Sequence, residues 1–268
     1  MATIHNRYYL RRVKKMKTVL AATIHDPEPR LLRLLGEYTP RLGFDGEPRV
    51  AAYSPPTHPR IVKALEDLGY ITIPGGGSVQ SVYSAALESS LRESPEHVFY
   101  CDLDRLIHWV RTYPEEYRQI RRKALEYEFL MVGRTPRAFQ THPRTQTCTE
   151  GIANLVASRI LGFKDTRDII GVGWGLSSSL VQLLLSTPQR NSYGFFCGWP
   201  VIAWRNSARK AYVEVEGLEW ETPDRYEDEI AVEGYESWLK AFTTPKEWEH
   251  RSLMLKDLVE SLLDLMPL

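Results

Sequence analysis

The chain is poor in the features that mark several large protein classes. It has three cysteines, Cys101, Cys148 and Cys197, in 268 residues. They are too few and too scattered for a disulfide framework or a cysteine metal cage. It has no net charge, 34 Lys and Arg against 34 Asp and Glu. That balance argues against a nucleic-acid partner, because gripping a phosphate backbone needs a basic surplus. No run approaches 18 uninterrupted apolar residues, so no transmembrane helix is expected. The basic start lacks the apolar stretch of a secretory signal. Neither HExxH nor GxxxxGK[ST] occurs, and Gly171-Val172-Gly173-Trp174-Gly175 has the wrong spacing for a dinucleotide loop. A soluble, cytoplasmic protein with reduced thiols is the expectation. What is present is ordinary globular usage, 43% apolar and 25% charged.

Residues 1–16 form a basic arm with Arg7, Arg11, Arg12, Lys14 and Lys15, and Tyr8, Tyr9, Leu10 and Val13 lie among them. Such an arm can make weak contact with an anionic membrane surface, or simply be solvated. Residues 17–268 read as a single domain in two halves, 17–145 and 146–268.

The first half alternates. Lys17–His25 is a short β-branched run that stops at Asp26-Pro27, and Arg49–Ser54 repeats it before Pro55-Pro56. His58–Leu68 has helical spacing with Gly69 as its stop. A third strand over Tyr70–Ile73 leads into Pro74-Gly75-Gly76-Gly77, and Ser78 caps a helix through Leu91. A fourth strand, His97–Cys101, ends at Asp102-Leu103-Asp104. This alternation predicts an α/β fold, a doubly wound, mostly parallel sheet flanked by helices. Ligands of such sheets sit beyond the carboxyl ends of the strands. In the less regular second half, helices are expected over 149–161, 177–185 and 253–265 and strands over 129–133 and 210–215. Phe195–Trp204 is open between strand and buried helix, because Gly198 and Pro200 suit neither well. Gly171–Gly175 reads as a turn or a loop presenting Trp174.

The Asp102/Asp104 pair is the main chemical signal. Two carboxylates two apart at a strand end can share a divalent cation, Mn²⁺ or Mg²⁺, which prefers hard oxygen ligands. Such an ion would stabilise a departing diphosphate as a Lewis acid. The plain alternative is an aspartate capping the next helix. No histidine has ligand spacing, although His250 is a candidate to complete a metal shell from the C-terminal segment.

Residues 72–105, TIPGGGSVQSVYSAALESSLRESPEHVFYCDLDR, resemble the core of GT-A-fold glycosyltransferases, especially the family-2-like group. FCGWPVIAWRNSA, 196–208, resembles that family's acceptor-side segment, and Glu227-Asp228 with Gly234-Tyr235 its acidic catalytic pair. The resemblance implies transfer of a sugar from a nucleotide-diphosphate donor to an acceptor hydroxyl, with 17–145 as the nucleotide-sugar half and 146–268 as the acceptor half. It implies nucleotide-sugar contacts at Thr23, His25, Asp26, Ser54, Gly75, Gly76, Gly77 and Asp102, and a metal at Asp102 and Asp104. It also implies acceptor contacts at Gly198 and Trp199, with Asp228, or Glu227 beside it, as the base. Those acids equally suit a helix start, where the dipole favours negative charge. The chain departs from the family where the first strand ends ATIHDPEP, without the usual proline and acidic pair that hold the nucleotide base, and where Gln-x-x-Arg-Trp is absent. A non-catalytic nucleotide-sugar-binding relative is therefore one alternative. A phosphatase of the haloacid-dehalogenase type is another, although there the nucleophile follows the first strand.

Overall fold

The computed structural model describes residues 16–187 and 193–266. The basic arm falls almost wholly outside them, as does the expected membrane contact. Among the described residues no helix is long and apolar enough to cross a membrane.

Seven strands form one sheet in the order β3-β2-β1-β4-β6-β5-β7. They are β1 (Thr18–Ile24), β2 (Arg49–Tyr53), β3 (Ile71–Pro74), β4 (His97–Cys101), β5 (Phe129–Arg134), β6 (Gly173–Ser177) and β7 (Lys210–Val215). Only β6 runs against the others, between β4 and β5. Register in the parallel half pairs Ala21 with Val50 and with Tyr100, so the ends of β1 and β4 come out together.

The sheet is covered on both faces, which is why its strands are apolar runs rather than alternating ones. Leu20, Phe99 and Leu130 point to one core, Ala21, Tyr100 and Met131 to the other. The first core packs under helices α1 (Leu32–Tyr38), α2 (Pro59–Asp67), α4 (Leu103–Thr112) and α5 (Pro114–Ala124). The second packs under α3 (Val79–Arg92), α7 (Arg144–Ile160), α8 (Ser178–Ser186), α9 (Phe195–Asn206) and α12 (Pro245–Asp264). A short α6 (Pro136–Gln140) follows β5, and α10 (Glu227–Glu233) and α11 (Tyr235–Leu239) precede α12. Ser78 caps α3 as expected, in a reciprocal capping box with Ser81.

Two expectations change. Gly171–Gly175 is not a presenting loop, because Gly173–Ser177 is β6 and Trp174 is 1% exposed, stacked on Tyr100. A Cβ at Gly175 would stand 2.7 Å from the Ala124 Cβ, so this glycine lets α5 lie close on the strand. Phe195–Trp204 resolves as helix, with Pro200 inside it.

His97 opens β4 fully buried, its Nε2 3.2 Å from the Tyr127 carbonyl and its Nδ1 without a partner. Burial lowers its pKa to about 4. The folded ring stays neutral, while the unfolded ring takes a proton below its ordinary 6.5. This residue's share of stability is therefore complete above that pH and lost as pH falls towards 4, by up to about 3 kcal/mol. Denaturant titrations of wild type and His97→Gln between pH 7.5 and 4.5 are expected to show a steeper acid loss in wild type.

Candidate active site

Asp102 directly follows β4 and stands at the N-cap of α4, but its side chain makes no capping bond. It is fixed instead by hydroxyls from three elements. Its Oδ1 lies 2.7 Å from Thr23 Oγ1 on β1, 2.7 Å from the Tyr83 hydroxyl on α3 and 3.2 Å from the Tyr100 hydroxyl on β4. Oδ2 makes none of these contacts and faces Arg105 Nε at 3.7 Å. Burial raises the Asp102 pKa and neighbouring Asp104 adds to it, while Arg105 and the hydroxyls oppose them.

Two chambers meet beside this carboxylate. The first, about 370 Å³, opens beyond β1 and β2, with Thr23, His25, Ser54, Gly76, Gly77 and Asp104 in its wall. His25 Nδ1 is 2.7 Å from Ser54 Oγ. The second, about 180 Å³, lies between α7, α12 and the segment after β7. Asp102, Arg105 and Glu221 line both.

The segment after β7 carries Glu221 and is strapped down. Glu116 on α5 accepts from the backbone N–H groups of Glu216 and Gly217, each at 2.9 Å, and from Trp109 Nε1 at 2.8 Å. His108 on α4 lies 2.8 Å from Asp224 and 3.3 Å from Glu219. Against the cost of burial these acids raise the His108 pKa. Trp220 N–H donates to Thr141 Oγ1 at 2.8 Å. Glu221 ends 8% exposed, with Oε2 unpartnered and 3.9 Å from Arg105 Nε. Burial raises its pKa, and Arg105 opposes the rise. Arg105 also donates to the Gly171 carbonyl at 2.9 Å. Arg225 donates to Asp104 Oδ2 at 2.5 Å and to the His25 carbonyl at 3.3 Å.

Of the residues expected from the sequence, Thr23, His25, Ser54, Gly76, Gly77, Asp102 and Asp104 converge on the first chamber. Gly75 sits behind it, where a Cβ would come within 2.6 Å of Val82 Cγ2, so it holds the loop against α3. Asp26 is buried and accepts from the Leu31 N–H at 3.0 Å, shaping the turn rather than lining the chamber. The expected catalytic acids are elsewhere: both start α10, Asp228 is exposed, and Glu227 is paired with Arg111 at 2.7 Å and Arg33 at 2.5 Å. Gly198 and Trp199 are buried in α9, with Trp199 packed on Trp174 and Phe195, and that helix presents Phe196 to the second chamber instead. His250 is exposed on α12.

Arg105 and Glu221 had no sequence signal of their own. Arg105 is legible afterwards as the residue one past the Asp pair, whereas Glu221 depends on where the strapped segment folds back.

A divalent cation would find hard oxygens here, in Asp102 Oδ2 and the remaining lone pairs of Asp104, with Glu221 lining the same chamber. Among the described residues no group of three or more His, Cys, Asp or Glu closes a cage. The set suits an ion bound by one or two carboxylates and completed by substrate phosphates.

No family model and no curated protein matches the chain. Among solved structures it is similar to a glucosyl-3-phosphoglycerate synthase of Mycobacterium tuberculosis, with a TM-score of 0.57 at 12% identity, over 95% of this chain and 82% of that one. The same synthase in complex with uridine diphosphate gives a TM-score of 0.56 at 12% identity, with the same coverage. A further mycobacterial protein gives 0.52 at 17% identity, over 76% of this chain and 67% of that one.

A Cβ at Gly217 would lie 1.7 Å from Trp109 Cδ1. Gly217→Ala is therefore expected to lower stability by about 1–3 kcal/mol as an overpacking change, read by thermal unfolding, and to loosen the strapped segment. The strand order, the single reversed strand and the structural likeness together show that this chain has the α/β, mostly parallel GT-A-like fold.

Proposed function

We propose that the protein transfers a glycosyl group from a nucleotide-diphosphate sugar, held in the first chamber, to an acceptor hydroxyl presented from the second. The observation that carries this reading is the shared wall: Asp102, Arg105 and Glu221 face both chambers at the carboxyl ends of the strands. A uridine-diphosphate complex of a protein with this fold supports a uridine nucleotide as donor.

In this reading the nucleoside lies near His25 and Ser54, and the diphosphate near Gly76, Gly77 and the Asp pair. Asp102 and Asp104 would hold a divalent metal, which when bound offsets charge on the leaving diphosphate. Thr23, Tyr83 and Tyr100 orient Asp102 by occupying one of its oxygens and leaving the other beside Arg105. Arg105 brings a fixed positive charge to the junction, and the apolar part of the second chamber excludes water from it. Arg225, paired with Asp104, favours one rival: nucleotide-sugar binding without turnover.

The test follows hydrolysis or transfer of labelled UDP-sugars with Mn²⁺ or Mg²⁺. Asp104→Ala and Asp102→Asn are expected to lower turnover at least about a hundredfold, the scale of losing a preorganised charge. Tyr83→Phe should lower it about tenfold, because one charge-assisted hydrogen bond is lost. UDP binding with no turnover under any of these conditions would leave the binding reading in its place.

A further inference from the structure

Three residues that line the second chamber carry polar atoms that the fold leaves without partners. His142 is 5% exposed. Its Nδ1 lies 3.2 Å from the Ala138 carbonyl, which can only accept, so Nδ1 carries the hydrogen and Nε2 a lone pair. That Nε2 is buried and unpartnered, on a residue that lines the chamber. Burial pushes the His142 pKa well below its ordinary value, aided by Arg134 and Arg105, so the ring stays a neutral acceptor. Glu221 Oε2 is the second such acceptor. The third atom is a donor, Arg251 Nε. A buried polar group without a partner destabilises the fold, and a ligand that supplies the partner recovers that cost.

The charges around these atoms are already matched. Arg251 donates to Gln146 Oε1 at 3.2 Å and has Glu150 at 3.8 Å. Glu150 is also bound to Arg134 at 2.6 Å, and Arg134 in turn to Asp168 at 2.7 Å. Arg105 stands between Asp102 and Glu221. Each of these arginines has a carboxylate within 4 Å, so none offers an uncompensated charge to a phosphate or carboxylate. An anionic group would also bring no hydrogen to Glu221 or His142, and the Glu221 carboxylate would repel it. Phe196, Trp220 and Phe242 add apolar surface of the kind that covers the C–H face of a sugar or polyol.

We infer that the second chamber takes a small uncharged polyhydroxy acceptor, a polyol or monosaccharide whose hydroxyls donate to Glu221 and His142 and accept from Arg251. This rests on the reading of the first chamber as the donor site, and it makes Glu221 and His142 residues that determine acceptor choice. The chemistry differs from the phosphorylated acid named for one structural neighbour.

The test uses the full chain saturated with UDP and Mn²⁺. Saturation-transfer NMR measures binding of glycerol, erythritol, glucose, mannose and galactose, and of two charged counterparts, 3-phosphoglycerate and glucose 6-phosphate. At least one neutral compound is expected to bind, about tenfold more tightly than its charged counterpart. Glu221→Gln, nearly isosteric, should weaken it about tenfold, and His142→Phe likewise; a cooperative thermal unfolding transition, measured separately, reports that each variant is folded. Tighter binding of a charged compound, neutral binding unchanged in both variants, or UDP binding with no neutral compound bound would each overturn the inference alone. Failure of UDP itself to bind would remove the donor reading, and this inference with it.

Discussion

The site depends on how a single carboxylate is held at the end of β4. Asp102 is half-buried, and burial alone would favour its neutral form. Hydroxyls from Thr23, Tyr83 and Tyr100 crowd one oxygen, and Arg105 stands off the other. The donors come from β1, α3 and β4, so the carboxylate is oriented only when the centre of the sheet and its covering helix are packed together. Tyr83 and Tyr100 are also part of the second core, where their rings lie 5.1 Å apart. The polar ends of core side chains thus set the chemistry of the cleft, and loosening the core there would loosen the site.

The other wall is built differently. The segment between β7 and α10 contains a short 3₁₀ turn, Thr222–Arg225, but no longer element of its own. It takes its shape from being tied to α4 and α5. Glu116 accepts two successive backbone N–H groups, and His108 lies between two acids on the segment. Gly217 lets the backbone press against Trp109. Fixing a loop in this way removes conformational freedom before a ligand arrives, and so favours a preorganised junction at Glu221. Arg225, from the same segment, reaches back to Asp104 and couples the two walls electrostatically.

Much of the first half was legible in the chain. Strands that are buried on both faces need continuous apolar runs, and VLAATI, RVAAYS and HVFYC stand out between proline and glycine stops. Ser78 announces α3 by chemistry that acts within four residues. The reversed strand was not legible, because GWGLS has the glycine content of a turn; its glycines answer to neighbours such as Ala124, far away in sequence. Trp199 and Trp174 looked available for sugar contact, yet both fill the core, where a large apolar ring contributes most. Glu227 and Asp228 had the expected order along the chain, but the fold spends Glu227 on surface arginines and leaves Asp228 exposed.

By itself the sequence determined the alternation of strands and helices, and with it the strand end at which Asp102 and Asp104 appear, because both follow from local hydrophobic period and local stop signals. Only the tertiary structure decided that Glu221 and His142 share a chamber with Arg105 and Arg251, and that this chamber opens onto the Asp pair. Those residues lie on four separate stretches of chain, and no local rule links them. They meet because the sheet's order brings β4 near β7 through β6 and β5, and because the segment after β7 is bound back onto the helices that follow β4.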